Sequence, residues 1–146
     1  MINVDASFDS DTGSGSTGVV IRDATGECVA ASCCHLPHVT DAAMVEAYAL
    51  RDSLQLAQQI GSNHFIVQAD CMMVVETTKE ESFPATSEAP IYDDCYNMWR
   101  DFVDVSIEHC HRDANRVAHE IARRCFISRQ SCIWVDEPLV FFLSFL

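Results

Sequence analysis

Three carboxylates stand in this sequence at positions where a lone negative charge would be costly. Asp5 lies in the middle of the alternating stretch 2–8, which has the period of a β-strand, and aspartate is disfavoured inside strands. Glu46 falls on the apolar stripe of a predicted helix, and Asp70 ends an alternating strand just before a short helix. A buried carboxylate needs a partner or a ligand, and its oxygens suit hard divalent cations. The three residues are therefore candidates for one site.

The elements that must position these carboxylates follow from hydrophobic periodicity and from turn residues. The pattern predicts three strands joined as an antiparallel meander, then a helix capped by Thr40 or Asp41, and a fourth strand. A short helix, a proline-containing loop, a longer helix, a fifth strand and a last helix follow. The predicted ranges are strands 2–8, 18–22 and 27–36, a helix ending near 60, strand 64–70, helix 72–79, loop 82–90, helix 91–104, strand 105–109 and helix 115–129.

Length and composition fit one compact domain. The chain has 146 residues, 49% of them hydrophobic, which is enough to bury a core. The 22 acidic residues outnumber the 9 basic ones and give a net charge of −13, which repels polyanions and suits divalent cations. We expect a single domain over residues 1–146, cut from a longer chain. Its core would cover about 1–130, and 131–146 would form a C-terminal tail.

The eight cysteines and the start of the chain favour an intracellular protein. No two cysteines form a C-x-x-C pair, and several lie in apolar periodic segments, so we interpret them as reduced, buried thiols. The chain begins directly with a strand, and no apolar run is long enough to cross a membrane. We expect a nuclear or cytoplasmic location without membrane contact. Two Cys/His clusters, at 33–38 and 109–111, lack zinc-finger spacing and are not predicted to bind zinc.

Five segments, taken together and in order, resemble one known fold. They are NVDASF, GVVIRDATGECVAAS, EAYALRDSLQLAQQIG, ADCMMVVE and HCHRDANRVAHEIAR. The set resembles the type-1 ribonuclease H fold, most closely the ribonuclease H-like domains of plant retroelement and reverse-transcriptase-like proteins. The resemblance covers nearly the whole chain. It implies an α/β fold with a five-stranded mixed sheet, in which an antiparallel meander of strands 1–3 is joined by strands 4 and 5 and helices flank the sheet.

The resemblance also implies a reaction. Members of that family are metal-dependent endonucleases that hydrolyse the RNA strand of RNA/DNA hybrids, a two-metal hydrolase activity. Asp5 would bridge two Mg²⁺ ions, and Glu46 and Asp70 would divide the remaining ligand positions. His109 matches a histidine that assists proton transfer or product release. These four residues are the expected catalytic residues.

Nucleic-acid contacts are expected from the loop and helix that follow His109. Asn115 matches an asparagine of the family motif, and the residues imply a helix cap there or a contact with nucleic acid. Arg112 and Arg116 belong to a late cluster of basic residues, which would bind phosphates. That cluster is small and the loop before the 91–104 helix is acidic, so we expect weak binding by this domain alone.

Position 119 departs from the family pattern, which has a fourth carboxylate there. His119 brings no negative charge, and a neutral imidazole suits Zn²⁺ or Mn²⁺ better than Mg²⁺. It would either ligate a metal or pack at the edge of the helix's apolar face. The expected consequences are a weakened or Mn²⁺-preferring nuclease. The alternative is a catalytically degenerate domain that keeps the fold as a protein-interaction module with a protein partner.

Overall fold

The structure is a computed structural model that describes residues 1–80 and 86–136. Strands and helices alternate along most of the described chain, and a short 3₁₀ turn at Arg112–Asn115 precedes the last helix. The elements are β1 Ile2–Asp9, β2 Ser14–Arg22, β3 Cys28–Leu36, α1 Ala42–Gln59, β4 His64–Ala69, α2 Met72–Glu80, α3 Ala89–Trp99, β5 Asp104–His109, α4 Arg116–Ser128 and β6 Cys132–Val135. No described helix combines the length and apolar character needed to cross a membrane.

One mixed sheet carries the site, and β1 lies in its interior. The strand order is β5-β4-β1-β2-β3-β6. β1 pairs with β2 in antiparallel fashion and with β4 in parallel fashion, while β5 extends the parallel half and β6 extends the antiparallel half. The predicted meander and mixed sheet are confirmed, and the sheet has a sixth strand.

The two faces of the sheet are covered by different helices. Ile2 and Val4 of β1 belong to a large core with Leu50 and Leu54 of α1. On the other face, residues of β2 and β3 form a smaller core with α4, whose members are Val20, Ala31, Cys33, Ala118, Ile121 and Cys125. The alternation of strand side chains therefore divides the apolar residues between two helical layers.

Gly18 of β2 lets α4 approach the sheet closely. A Cβ atom at this position would overlap the carbonyl oxygen of Ala118 and lie 2.6 Å from the backbone nitrogen of Ala122. Gly18 also lies directly opposite Asp5 in the β1–β2 ladder. The absence of a side chain here therefore determines how near the α4 backbone comes to the strand that carries Asp5.

The start of β2 and the end of α3 differ from the prediction. β2 begins at Ser14, not at residue 18, because Ser16 and Thr17 are buried and bond to residues of the two flanking helices. The Ser16 hydroxyl donates to the carbonyl of Ala122 at 2.5 Å, and the Thr17 hydroxyl donates to Asp52 at 2.6 Å. α3 covers Ala89–Trp99 and ends earlier than the predicted 91–104 helix.

The expected tail contains the sixth strand. β6 pairs with β3, with Cys132 opposite Cys33 and Val135 opposite Ala30. Four apolar residues without alternation gave too short a pattern to identify this strand from the sequence. Residues 82–85 of the predicted loop 82–90 and the apolar end of the tail from residue 137 lie outside the described residues.

Candidate active site

Asp5 occupies the buried centre of the site. Its residue is 5% exposed, and its Oδ2 lies 2.9 Å from Nδ1 of His119 on α4. Burial raises the pKa of Asp5, and the negative charge of Asp70 raises it further. Hydrogen bonds from the backbone of Ala6 and from His119 oppose that rise. These hydrogen bonds therefore compensate only in part for the hydration that the Asp5 carboxylate loses on burial.

Glu46 and Asp70 come from two consecutive elements of the chain, and both line one cavity. Glu46 lies on α1, and Asp70 follows the last residue of β4. Both line a cavity of about 380 Å³ together with His109 and Arg112. Burial raises the pKa of Glu46 to about 8, and the charges of Asp5 and Asp70 contribute to the rise. The three predicted carboxylates therefore share one electrostatic environment, although they are separated by tens of residues in the chain.

The chemistry of these donors fits hard divalent cations. Asp5, Glu46 and Asp70 supply only oxygen ligands. Besides burial, the charges of Asp5 and Asp70 raise the pKa of Glu46, and a nearby cation would lower it again. Within residues 1–80 and 86–136, no three His, Cys, Asp or Glu side chains are arranged so that they could hold a metal ion as they stand. Cation binding would therefore require these carboxylates to draw closer together.

His119 reaches the site from α4. Its side chain is 57% exposed and bonds to Asp5, so it does not pack at the edge of the helix's apolar face as one prediction had it. The neighbouring Glu120 points elsewhere and binds Arg123 and Arg124 at 2.7 Å each; the hydrogen bond from Arg123 is the main reason its pKa falls to about 2. The fourth position is thus occupied by an imidazole, and Glu120 does not replace it.

His109 and Arg112 lie on the open side of the cavity. His109 is the last residue of β5, is exposed, and pairs with Ala69 of β4 in the ladder. Arg112 is exposed on the cavity rim, whereas Arg116 is paired with Asp113 at 3.5 Å on a highly exposed surface. Of the two arginines, Arg112 is therefore better placed to meet an anion that approaches the carboxylates.

Asn115 is the N-cap residue of α4, at the predicted place, but its side chain makes no capping hydrogen bond. The residue is 1% exposed, and its Nδ2 donates to the carbonyl of Val4 at 2.7 Å while its Oδ1 accepts from Asn3 at 3.2 Å. These bonds tie the start of α4 to β1 next to Asp5. The proposed contact of Asn115 with nucleic acid stays a prediction that its burial does not favour.

The Asn115 bonds are part of a longer network that the sequence reasoning missed. Asn3 also donates to Gln68 at 3.2 Å, and Gln68 donates to Glu108 at 2.6 Å. The network therefore links β1, β4 and β5 beside the site. One signal was available, since Asn3 and Asp5 are two residues apart and lie on the same polar face of the first strand. The partners were not predictable, because they are distant in the chain.

Comparisons with known proteins agree with this architecture. A model of a family described as reverse transcriptase-like matches residues 3–125. RNase H1 from the halophilic archaeon Halobacterium salinarum superposes with a TM-score of 0.80 at 19% identity, covering 88% of this chain and 97% of that chain. LC11-RNase H1, solved in complex with an RNA/DNA hybrid, superposes with a TM-score of 0.78 at 19% identity, covering 88% and 96%.

A third structure is more distant. The foamy viral protease-reverse transcriptase, solved in complex with dsDNA, superposes with a TM-score of 0.70 at 15% identity, covering 84% of this chain and 90% of that chain. At these identities the superpositions establish the fold, and the predicted ribonuclease H-like fold is confirmed. No sequence among the curated proteins is significantly similar to the chain.

Proposed function

Since this chain belongs to the reverse transcriptase-like family, we propose that it is a divalent-metal-dependent endonuclease that hydrolyses the RNA strand of RNA/DNA hybrids. The observation that carries the proposal is the shared environment of Asp5, Glu46 and Asp70, in which burial and like charges raise the pKa of Glu46 to about 8. A structural neighbour solved with an RNA/DNA hybrid supports the choice of substrate. The likeness to plant retroelement domains and a nuclear or cytoplasmic location belong to the same proposal.

Each residue of the site has a role in this proposal. Asp5, Glu46 and Asp70 would hold two Mg²⁺ ions, or Mn²⁺ in their place. Bound divalent cations would supply an activated water and stabilise the leaving oxygen of a phosphodiester. The exposed His109 imidazole would carry a proton to or from the reaction at a ring nitrogen, and Arg112 at the cavity rim would bind a phosphate.

His119 sets the expected metal preference. Its Nδ1 lies 2.9 Å from Oδ2 of Asp5, so it occupies an acceptor site that the carboxylate would otherwise offer to a cation. An imidazole is a better ligand for Mn²⁺ than for Mg²⁺ and adds no negative charge. We therefore expect weaker activity with Mg²⁺ than with Mn²⁺.

The His119–Asp5 bond also favours a second candidate function. If His119 remained bonded to Asp5 at all times, the domain would keep its fold but could not bind metal. Such a domain would act as a protein-interaction module. The net charge of −13 points the same way, because it opposes binding to a polyanionic duplex.

Cleavage of a labelled RNA/DNA hybrid separates the two functions. The wild-type domain should cut only the RNA strand, faster in Mn²⁺ than in Mg²⁺, and should not cut a DNA duplex of the same sequence. Asp70→Asn should abolish cleavage while leaving the fold intact, as judged by circular dichroism. An exposed aspartate far from the cavity, replaced as Asp23→Asn, provides the matched control and should cleave normally. Absence of cleavage by folded wild-type protein in both metals would favour the interaction module.

A further inference from the structure

Three thiols from three different elements meet on the α4 face of the sheet, on the side of β3 and β6. Cys33 of β3 and Cys125 of α4 belong to the same buried cluster, and Cys132 of β6 packs against it. The Sγ atoms of Cys33 and Cys125 both donate to the carbonyl oxygen of Gln130, at 3.4 and 3.2 Å. The two sulfurs therefore share one acceptor.

Cys33 and Cys132 are also directly opposite each other in the β3–β6 ladder. Opposed residues of antiparallel strands point to the same face, and their Cα atoms are about 4.5 to 5.5 Å apart. That separation lies inside the range of roughly 4.4 to 6.8 Å that disulfides span. Backbone geometry thus allows a bond between these two residues without moving the strands apart.

The thiols of this cluster are not chemically equivalent. The pKa of Cys33 is lowered by the neighbouring thiols, first Cys125 and then Cys132, against the opposing effect of burial. The pKa of Cys125 and that of Cys132 are raised. All eight cysteines lie in the described part of the chain, and burial raises the pKa of each of the other five. Cys33 is thus the one thiol of the eight whose pKa is lowered, and the thiolate is the reactive form.

A small oxidant can approach this cluster from the edge of the sheet. Cys33 and Cys132 lie at the margin of a cavity of about 460 Å³ between α1 and β6, which opens on the opposite face of the sheet, where Cys34 lies. Cys33 itself is 3% exposed, so bulky thiol reagents are excluded while a molecule such as hydrogen peroxide is small enough to enter. Cys132, on the edge strand, is half-buried.

We propose that Cys33 and Cys132 form a reversible disulfide in response to a hydroperoxide. In the first step the Cys33 thiolate attacks hydrogen peroxide, an S–O bond forms, the O–O bond breaks, and the departing hydroxide takes a proton and leaves as water. The Cys132 sulfur then attacks the sulfenic sulfur, the S–S bond forms, the S–O bond breaks, and a second water leaves. Two thiols are oxidised by two electrons in total, and one peroxide is reduced to two waters.

This site uses none of the residues assigned to the cleavage of nucleic acid, so it does not depend on the proposed function. The bond would connect the edge strand β6 covalently to β3. Reduction by a dithiol would restore both thiols. The chain would thus carry a thiol modification site that is separate from its carboxylates.

Thiol counting on the full chain tests the proposal. Native protein is treated with a small molar excess of hydrogen peroxide, denatured and titrated, and the count should fall from eight by two and return to the starting value with dithiothreitol. Peptide mass spectrometry should find the Cys33 and Cys132 peptides linked, with the loss of two hydrogens. Cys132→Ser, on the edge strand, should lose the linked peptide. Cys34→Ser, the adjacent residue on the opposite face, is the matched control and should retain it.

Cys125 provides a second control, because its sulfur shares the Gln130 acceptor with Cys33 but is not opposite Cys33 in the ladder. Cys125→Ser should form the same Cys33–Cys132 link. Loss of two thiols in the Cys132→Ser variant, loss of the link in Cys34→Ser, or an unchanged count of eight in oxidised wild-type protein would each overturn the proposal. A native-like thermal transition for each variant shows that the comparison is made on folded protein.

Discussion

Glu46 is the residue whose ionisation reports most directly on its neighbours. Its pKa of about 8, caused by burial and by the charges of Asp5 and Asp70, lies above that of an unfolded glutamate. The folded state therefore binds more protons than the unfolded state between about pH 4.5 and pH 8. Stability due to this group is fully present at low pH and is lost as the pH rises through the folded pKa.

Replacing Glu46 with glutamine should therefore stabilise the metal-free protein at alkaline pH. Each unit of pKa shift corresponds to about 1.4 kcal/mol, so we expect a gain of roughly 2–4 kcal/mol at pH 9 that disappears toward pH 4.5. Urea unfolding at a series of pH values measures it. Glu76→Gln, at an exposed position on α2, is the control and should change little at any pH. An equal effect at both ends of the pH range would show that Glu46 is not a destabilising charge.

Replacing His119 with aspartate should strengthen the proposed nuclease activity and move its metal preference toward Mg²⁺. The change removes the bond to Asp5 and adds a hard oxygen ligand at the family's fourth position. We expect kcat/KM with Mg²⁺ to rise at least tenfold, about 1.4 kcal/mol in transition-state free energy. His119→Asn, which has the same size without the charge, should not reproduce the gain, and an aspartate variant no more active than wild type would contradict this role for position 119.

At the scale of residues, the sequence pointed to individual charged residues more readily than to hydrogen-bond partners. Asp5 was identified because aspartate is disfavoured inside a strand, Glu46 because it lies on an apolar helix stripe, and Asp70 because it ends a strand just before a helix. Each of these is a local signal. Asn115 was assigned a cap because Asn often caps helices, but its partners are Asn3 and the Val4 carbonyl. Those contacts join residues more than a hundred positions apart, and no local pattern encodes them.

At the scale of elements, the position of α4 decides whether His119 and Asn115 reach β1. α4 approaches the sheet at Gly18, where any side chain would meet the backbone of Ala118 and Ala122. A helix packed against a strand at such short range cannot accept an added methyl group without moving. The glycine thus controls the distance between α4 and the strand that carries Asp5.

Gly18→Ala should consequently destabilise the fold by about 3 kcal/mol, near the upper end of the usual cost of overpacking. Thermal or urea unfolding measures the loss. Gly26→Ala is a matched control, since Gly26 has a positive φ of 86° but no atom within 4 Å of an added Cβ, and it should cost only about 1 kcal/mol of backbone strain. If the two variants lose the same stability, close packing of α4 is not what Gly18 provides.

Long, regular elements were predictable and short or polar ones were not. The helix capped by Asp41, whose side chain accepts from Met44 at 2.9 Å, and the alternating strand β4 both follow from local rules. The start of β2 was missed because Ser and Gly residues at 14–17 have turn chemistry, and only partners on other elements make them a strand. β6 is a strand because the edge of β3 is available to it, which is a property of the folded sheet.

At the scale of the whole molecule, charge limits how this domain can meet nucleic acid. The net charge is −13, and two divalent cations, each adding two charges, would reduce it only to −9. Several arginines are already paired, including Arg123 and Arg124 with Glu120. Few basic side chains near the cavity are left to contact phosphates, so a second domain or partner would have to supply most of the affinity.

Hybrid binding by this domain should accordingly depend only weakly on salt. With about three phosphate contacts, the slope of log K against log salt concentration should be about −3 or shallower. Fluorescence anisotropy with Ca²⁺ in place of Mg²⁺ measures it, and Arg112→Ala should make the slope shallower by about 1. Asp113→Ala, on the same turn, should not weaken binding. A slope of −6 or steeper would indicate a phosphate-binding surface that the described residues do not account for.

The central claim is that Asp5, Glu46 and Asp70 act together as one cation site, and the ionisation of Glu46 tests it most directly. The ¹³C chemical shift of the Glu46 carboxyl group can be followed by NMR as pH is varied, without and with Mg²⁺. The predicted result is a pKa of about 8 without metal and a decrease of at least about one unit when Mg²⁺ is present, because a bound cation favours the charged carboxylate. A Glu46 pKa that Mg²⁺ leaves unchanged would contradict the claim.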